Sequence, residues 1–377
     1  MFKPLTILAI KNIVTSISTV INYLDSIAPP SLQESYDNSG LIVGDLNSEI
    51  KGVLVCLDST EEIINEAISK NCNLVIAHHP IIFKGLKKIT GKNYVERTIL
   101  TSIKNDIAIY AIHTNLDNID TGVNRKICDR IGLSGTRILS PKEGQLKKLI
   151  TFVPKTHQDN VLKALFDAGA GDIGLYENCA FTTEGMGQFS AKEKANPFIG
   201  KPGISEKLEE TRIEVILDSF RWHDIELALK NSHPYEEVAY YLTDLKNENH
   251  RIGSGMLGEL DREMTTDEFL THLKKTMHIS TIKFTKGSGS VKKVAVCGGA
   301  GSFLISKAKS AGADAFVTGD IKYHEFFDAE KDLLLADIGH YESEVFTKDL
   351  IHELLTTKFT TFAVNLAETD TNPISYF

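Results

Sequence analysis

Cysteine is scarce in this sequence, and its placement argues against two kinds of structure. The five cysteines are odd in number and scattered, and no two of them form a Cys-x-x-Cys pair. A disulfide framework and a zinc site built from thiolates are therefore both disfavoured. Such cysteine usage is typical of proteins in a reducing compartment, and it predicts a cytoplasmic location.

Long apolar runs are also missing. None approaches the roughly 18 residues that a helix needs to span a bilayer. Near the N-terminus, Lys3 precedes the apolar run 5–10, and Lys11 ends that run before it reaches the length of a typical signal-peptide core. We therefore expect no membrane among the partners of this protein.

The chain has no excess of positive charge. Its 41 basic and 50 acidic side chains give a net charge of -9, which argues against a broad basic surface and makes nucleic acid an unfavoured partner. A hydrophobic content of 42% with 24% charged residues predicts a soluble globular protein. Because 377 residues exceed one typical core, we expect two or three domains.

Predicted strands and helices alternate in a first lobe, taken as residues 1–145. Apolar runs and helical periodicity predict strands at 52–57, 74–77 and 107–112, and helices at 12–27, 60–70, 94–105 and 121–131. Alternation of this kind predicts an α/β architecture, with a mostly parallel sheet covered by helices on both faces.

The last third of the chain, taken as a second lobe over 248–377, resembles the first. The run 293–297 mirrors 52–56, and 314–318 then aligns with 73–77 without a gap. Any two strand–helix–strand units share apolar periodicity, but a constant offset favours a true repeat. We infer two related α/β lobes that offer residues from their strand ends to one cleft.

Between the lobes the pattern changes. The order of predicted elements is β-α-β-β-α-β, typical of a ferredoxin-like fold. The strands are predicted at 147–153, 179–189, 211–217 and 239–245, and the helices at 156–168 and 223–231. A polar loop rich in Gly and Pro covers 195–203. The simplest interpretation is a ferredoxin-like α+β insert at 146–247.

Residues of the types that bind metals follow three predicted strands. They are His78 and His79, then His113 and Asp117, and finally His340 and Glu344. Imidazole and carboxylate ligands without Cys are typical of catalytic centres that hold Zn, Mn or Fe. A lone histidine is more often a core residue than a metal ligand. His340 and Glu344 could instead form a His/Glu pair on an exposed turn. Three such motifs at strand ends favour one shared site.

The number of ligands favours two metal ions. Five protein ligands, namely His78, His79, Asp117, His340 and Glu344, exceed what one catalytic ion needs beside an open position. His340 and Glu344, four positions apart, share one face if a helix begins at Gly339. A bridging Glu344 between ions roughly 3.5–4 Å apart fits better, since such a pair activates a shared water. His113 is either a ligand or a residue that orients one.

Three further groups give weaker signals. The segment 58–60 closes a strand and is predicted to cap the following helix. The glycine-rich segment 298–302 either binds an anionic or polar group or forms a tight turn. His324 and Glu325 are candidate acid/base groups, with a helix start as the alternative. Together with His113 they are the catalytic candidates.

These motifs together resemble a known family. Ala28-Pro-Pro-Ser31, Asp37-Asn-Ser-Gly-Leu41, Ala77-His-His-Pro80, His113-Thr-Asn-Leu-Asp117, Gly122-Val-Asn124, Thr318-Gly-Asp-Ile321 and Asp337-Ile-Gly-His-Tyr-Glu-Ser-Glu344 are similar to motifs of the Nif-three-like dinuclear-metal-centre family. Its members are often labelled GTP cyclohydrolase type 1 family, type 2 homologue. Ser39 stands where a Val is common. The middle third resembles the insert of longer members, which is similar to the PII and CutA folds.

The resemblance implies a two-metal site on the same five ligands and a toroidal homohexamer whose sites face an internal cavity. Two divalent ions per chain, Zn, Fe or Mn, are then the expected cofactors. The favoured function is a metal-dependent hydrolase acting on a nucleotide-like small molecule. The alternatives are a non-catalytic metal-binding hexamer that stores, delivers or senses ions, and a metal-dependent phosphoesterase.

Overall fold

A computed structural model describes residues 15–377 and divides them into two compact units. One unit combines 15–139 with 255–377, and the other comprises 140–254. The helix predicted over 12–27 begins at Ile17 within the described part, and its first three positions lie outside the described residues. None of the helices in the described part of the chain is long and apolar enough to cross a membrane.

The elements are numbered here in chain order. The strands of the described residues are β1 (Gly40–Val43), β2 (Gly52–Cys56), β3 (Leu74–Ala77), β4 (Ala108–Ala111), β5 (Ser134–Lys142), β6 (Leu146–Pro154), β7 (Ala180–Ser190), β8 (Ser205–Asp218), β9 (Tyr240–Leu245), β10 (Asn249–Thr265), β11 (Lys283–Phe284), β12 (Ser290–Ala300), β13 (Ala315–Gly319), β14 (Leu334–Asp337) and β15 (Ala363–Leu366). The α-helices are α1 (Ile17–Ile27), α2 (Glu61–Ser69), α3 (Tyr94–Lys104), α4 (Thr114–Asp117), α5 (Val123–Ile131), α6 (Gln158–Asp167), α7 (Trp222–Ser232), α8 (Thr266–Thr276), α9 (Ile305–Ser310), α10 (His340–Glu344) and α11 (Thr347–Lys358).

The first sheet has the order β1-β4-β3-β2-β15. Its strands run parallel except β1, which pairs antiparallel with β4. Every residue of β2, β3 and β4 is buried, which explains their uninterrupted apolar sequences, because a parallel sheet is covered on both faces. The C-terminal strand β15 completes this sheet beside β2, with Ala363 paired to Gly52.

The second sheet has the order β11-β14-β13-β12-β10-β5. Its centre, β12 to β14, is parallel, while β10 and β11 pair antiparallel with their neighbours. Val294 pairs with Ala315 just as Val53 pairs with Leu74, and the same number of residues separates the partners in both sheets. The predicted α/β architecture with two related lobes is therefore confirmed.

The unit formed by 140–254 has a four-stranded antiparallel sheet of order β7-β8-β6-β9. Helices α6 and α7 contribute Val161, Leu165, Ile225 and Leu229 to a core on one of its faces. This order and the element sequence β-α-β-β-α-β confirm the predicted ferredoxin-like arrangement. The ribbon of β7 and β8 is longer than predicted. The sequence did not indicate the first six residues of β8 because they are exposed or half-buried and carry no apolar pattern.

We predict that the unit of 15–139 and 255–377 folds without the insert, because each unit has an apolar core of its own. Residues 140–254 would be replaced by a short Gly/Ser linker. Leu139 and Gly255 are already adjacent, since a Cβ on Gly255 would lie 3.4 Å from Leu139 Cδ2. Circular dichroism and cooperative thermal unfolding are expected to show a folded product, and an insoluble or non-cooperative product would contradict the prediction.

Candidate metal centre

His78 and His79 directly follow β3, the central strand of the first sheet. Their backbone N–H groups donate to the carbonyls of Cys56 and Leu57, so the hydrogen bonding between β3 and β2 continues two residues past the end of β3. Regular strand geometry would turn the two side chains to opposite faces. Instead both rings enter one cluster with His113, in which one ligand atom from each lies within 4.8 Å of the others.

His113 and Asp117 lie at the two ends of the one-turn helix α4. His113 is the N-cap residue and Asp117 the last residue, so the turn brings both side chains back towards β3. The ring of His113 lies 5.2 Å from those of His78 and His79, measured between centroids. The structure thus places His113 inside the cluster, whichever role it has there.

His340 and Glu344 form the first and last residues of α10, which follows β14 of the second sheet. Their side chains share a face, with His340 Nε2 3.1 Å from Glu344 Oε2. Gly339 has a φ of +96°, a backbone conformation that lets the chain turn sharply from strand to helix. The predicted spacing of one helical turn is therefore present.

The glycine-rich segment 298–302 packs against Glu344. Gly299 has a φ of +61°, and a Cβ there would lie 2.5 Å from Glu344 Oε1, so both the backbone conformation and the space favour glycine. The N–H of Gly299 donates to Ser343 Oγ and the N–H of Gly298 to Asn124 Oδ1. The N–H of Gly301 likewise donates to Thr318 Oγ1, so these three donors are used within the chain, and the segment makes room for the buried carboxylate of Glu344.

Each histidine of the cluster is oriented through its Nδ1 atom. The partners are the Ile112 carbonyl oxygen for His78 (2.8 Å), Asp58 Oδ1 for His79 (2.8 Å), Asp37 Oδ1 for His113 (2.8 Å) and Asp320 Oδ2 for His340 (2.7 Å). Because a carbonyl can only accept, His78 Nδ1 carries the proton and its Nε2 keeps a lone pair in the neutral ring. This arrangement of outer partners is typical of metal-binding histidines.

The sequence alone did not assign these roles to Asp58, Asp37 and Asp320. The segment 58–60 does cap α2, but through Thr60, whose Oγ1 accepts from the Ile63 N–H. A signal for Asp58 was nevertheless present. In the parallel pair of β2 and β3, Cys56 is opposite Ala77, so the residue two positions later, Asp58, comes beside His79.

Glu344 lies at the middle of the cluster and is only 3% exposed. Its Oε2 is 3.0 Å from His79 Nε2 and 3.1 Å from His340 Nε2. Its Oε1 faces the other way, 3.9 Å from His78 Nε2, which in turn is 3.6 Å from Asp117 Oδ1. The donor atoms thus form two groups that share Glu344, one with His79 and His340 and one with His78 and Asp117.

Two buried atoms of the cluster, His78 Nε2 and Asp117 Oδ1, have no hydrogen-bond partner. Each such atom costs about 1–3 kcal/mol when it is buried without a partner. A lone pair on nitrogen and a carboxylate oxygen are both electron donors, and a cation between them would satisfy both. The residues present therefore fit a bound metal ion.

Burial and neighbouring charges shift the pKa values of the side chains in this cluster in different directions. Burial lowers the pKa of His78 to about 4, which keeps its ring neutral and able to bind a metal. Burial opposes a charge on His79, but its hydrogen bonds to Asp58 and Glu344 raise its pKa to about 10. Burial and the charge of Glu344 hold the pKa of Asp117 well above its usual range.

Among the residues that the structure describes, His324 and Glu325 are not brought into this cluster. They belong to the 3₁₀ helix Tyr323–Ala329, in which Glu325 accepts from the Lys322 N–H and from Ser302. His324 is exposed, and its ring contacts Tyr323 and Phe327. The helix-start interpretation of this pair therefore agrees with its contacts.

The geometry can be set beside known proteins. The profile of the family described as Duf34/NIF3 (NGG1p interacting factor 3) matches residues 15–373. Two relatives named GTP cyclohydrolase 1 type 2 homolog are each 40% identical, one from Halalkalibacterium halodurans over 364 residues (95% of this chain and 98% of that protein) and one from Bacillus subtilis over 363 residues (95% and 97%). A crystal structure of a Bacillus cereus protein related to NIF3 has a TM-score of 0.86 at 38% identity and covers 97% of this chain and 100% of its own.

Because the cluster draws ligands from both sheets, we predict that metal stabilises the native protein. At free metal about 100-fold above its dissociation constant, preferential binding contributes about 2.7 kcal/mol. Chelation should lower the melting temperature of the wild type clearly. The His79→Ala and His340→Ala variants should each lose most of that chelator effect.

The matched control is His324→Ala, which removes a histidine outside the cluster and should keep the full chelator effect. The measurement is differential scanning fluorimetry of each variant with and without chelator. A wild type that melts identically with and without bound metal would show that the cluster does not join the two sheets through an ion.

Proposed function

The chain belongs to the Duf34/NIF3 family, and from that premise we propose that it is a metal-dependent hydrolase that holds two divalent ions and acts on a nucleotide-like small molecule. Relatives that are 40% identical are named GTP cyclohydrolase 1 type 2 homolog, and this name supports guanine nucleotides as the first substrates to test. The alternative is a non-catalytic metal-binding protein, and the measurements of metal content and turnover described below distinguish it from a hydrolase.

The position of Glu344 is the observation that carries the proposal. Its two oxygens face separate donor groups, with His79 and His340 near Oε2 and the orphaned His78 Nε2 near Oε1. One ion would leave one of these groups without a partner. Two ions, one held by each group with Glu344 contributing to both, would use all of these donors, and the proposed count of two ions per chain rests on this arrangement.

The donor set also favours certain metals. Imidazole nitrogens predominate, and carboxylates supply the rest. Such a set suits Zn, Fe or Mn better than Mg, which prefers oxygen ligands and retains its waters. All five cysteines are free, and they remain so in the cytoplasm that we propose as the location.

Divalent ions held by His78, His79, Asp117, His340 and Glu344 would lower the pKa of a bound water and polarise the bond to be cleaved. The chain itself holds the histidines rigid, since Asp58, Asp37 and Asp320 fix three rings. His113, fixed by Asp37, presents Nε2 to the cluster either as a further ligand or as the group that gives a proton to the leaving atom. For a guanine ring, the oxygen of water would bond to the imidazole carbon as the bond from that carbon to one ring nitrogen breaks. The leaving nitrogen would take the proton from His113, and His113 would regain one from the attacking water.

Assembly into a homohexamer is a further part of the proposal, and it rests on the resemblance to the dinuclear-metal-centre family. Light scattering coupled to gel filtration would report the mass of the particle. A value near six times the 41.7 kDa chain would support a hexamer.

The first prediction of this proposal concerns metal content. Elemental analysis should find close to two ions per chain. Glu344→Gln should lose both ions more readily than Asp117→Asn, because Glu344 is shared by both donor groups while Asp117 belongs to one. Glu342→Gln, on the same helix but outside the cluster, is the matched control and should retain both ions. A fully loaded Glu344→Gln protein would contradict the bridging role.

The second prediction concerns turnover. Metal-loaded protein incubated with a panel of nucleotides should convert at least one of them, with the product identified by mass spectrometry. Addition of one water to the base, or of two waters with loss of formate, indicates a cyclohydrolase, whereas release of phosphate indicates a phosphoesterase. The conversion should disappear with chelator and in Glu344→Gln. A protein that holds two ions and converts nothing on the panel would favour the non-catalytic alternative.

A further inference from the structure

A second site lies wholly within the unit formed by residues 140–254, where a cavity has a volume of about 680 Å³. Its floor is the face of the sheet opposite α6 and α7. Val153 and Ile213 point into the core beneath those helices, while Phe152 and Arg212, one position earlier on each strand, line the cavity. A space of this size accommodates a small organic molecule.

Aromatic rings form one wall of the cavity. Tyr235 stands between Phe189 and Phe198, with ring centroids 6.2 Å and 6.3 Å away. Phe152 and Tyr241 form a second pair, 5.8 Å apart. Phe198 and Tyr241 are more than half exposed, so their faces are available to a ligand.

Carboxylates accompany these rings. Glu210 accepts a hydrogen bond of 2.8 Å from the Tyr235 hydroxyl, which fixes a negative charge beside the aromatic wall. Gly187 makes room for it, since a Cβ there would lie 1.9 Å from Glu210 Oε2.

The lining as a whole is negative. Three more glutamates line the cavity, namely Glu184, Glu236 and Glu237. Glu184 pairs with Lys155, and the Glu236 carboxylate accepts from the Asn196 N–H. Arg212 is the cationic residue of the lining, and its guanidinium is 2.7 Å from Glu214. Phosphate or carboxylate groups would therefore meet repulsion here.

We propose that this cavity binds an organic cation, an ammonium or quaternary ammonium group carried on an apolar body. Aromatic faces attract such cations through the ring quadrupole, and nearby carboxylates add charge complementarity. The apolar rings of Phe152 and Tyr241 suit the body of the same molecule. A bare metal ion would need a close shell of oxygen or nitrogen ligands instead of rings. The site is separate in its residues from the metal centre and does not depend on the function proposed for it.

The test is isothermal titration calorimetry of the full-length protein at low ionic strength with three probes of one ring type. Benzyltrimethylammonium is the cation, benzyl alcohol the neutral analogue, and benzenesulfonate the anion. Saturable binding is expected for the cation alone. Equal binding of the cation and the neutral analogue would overturn the proposal.

Variants locate the binding. Phe198→Leu removes an exposed ring and Glu210→Gln removes the charge while keeping a hydrogen-bond acceptor, so both should fold. Each is expected to weaken the cation about fivefold or more. Phe181→Leu, at a ring 68% exposed on β7, a strand that contributes other residues to the lining, should bind as the wild type does. Unchanged affinity in both cavity variants would overturn the proposal. An absence of saturable binding of the cation would also overturn it. If Phe198→Leu then lowers the mass of the assembled particle, a second copy of the chain fills the cavity instead.

Discussion

A buried negative charge governs the arrangement of the candidate metal centre. The carboxylate of Glu344 is 3% exposed, and burial without compensation would cost several kcal/mol. Burial alone would raise its pKa, yet hydrogen bonds from His340 and His79 hold the pKa well below its usual range. The charge is therefore kept, and the protein must bring cationic or metal-binding partners to both oxygens. Gly299, without a side chain, is one local result of that demand.

The two lobes place partners around the Glu344 carboxylate with the same local arrangement. A parallel strand ends, a short helix begins, and a histidine and a carboxylate four positions apart point to one side: His113 with Asp117 after β4, and His340 with Glu344 after β14. Both histidines are held by an aspartate from elsewhere in their own lobe. The difference lies in one methylene. The longer Glu344 reaches both donor groups, whereas Asp117 belongs to one. The two lobes thus contribute equivalent strand–helix segments to the centre, but only the carboxylate of the second lobe is long enough to contact both donor groups.

The buried strands and the ligand residue types were predictable, because β2, β3 and β4 are uninterrupted apolar runs and the histidines of the first lobe come at the ends of β3 and β4. The orienting aspartates were harder to recognise. An aspartate after a strand is most simply interpreted as a helix cap, and Asp58 gains its other role only through the register of the neighbouring strand. The first six residues of β8 were not predicted as strand, because paired strands that are exposed to solvent need no apolar pattern. His324 shows that a histidine near a strand end is insufficient when the chain then turns away into a 3₁₀ helix.

The order of the ligands along the chain sets when the centre can form. His79 and Glu344 are in contact across a separation of 265 residues, and β15, which completes the first sheet beside β2, follows both of them in the sequence. During synthesis the N-terminal lobe emerges with His78 and His79 in place but without Glu344, His340 or its edge strand. Contacts this distant in sequence also close slowly. An ion that needs donors from both groups could therefore bind only after Glu344 has been synthesised, and a chain cut short before His340 would lack one donor group although His78, His79 and Asp117 had been made.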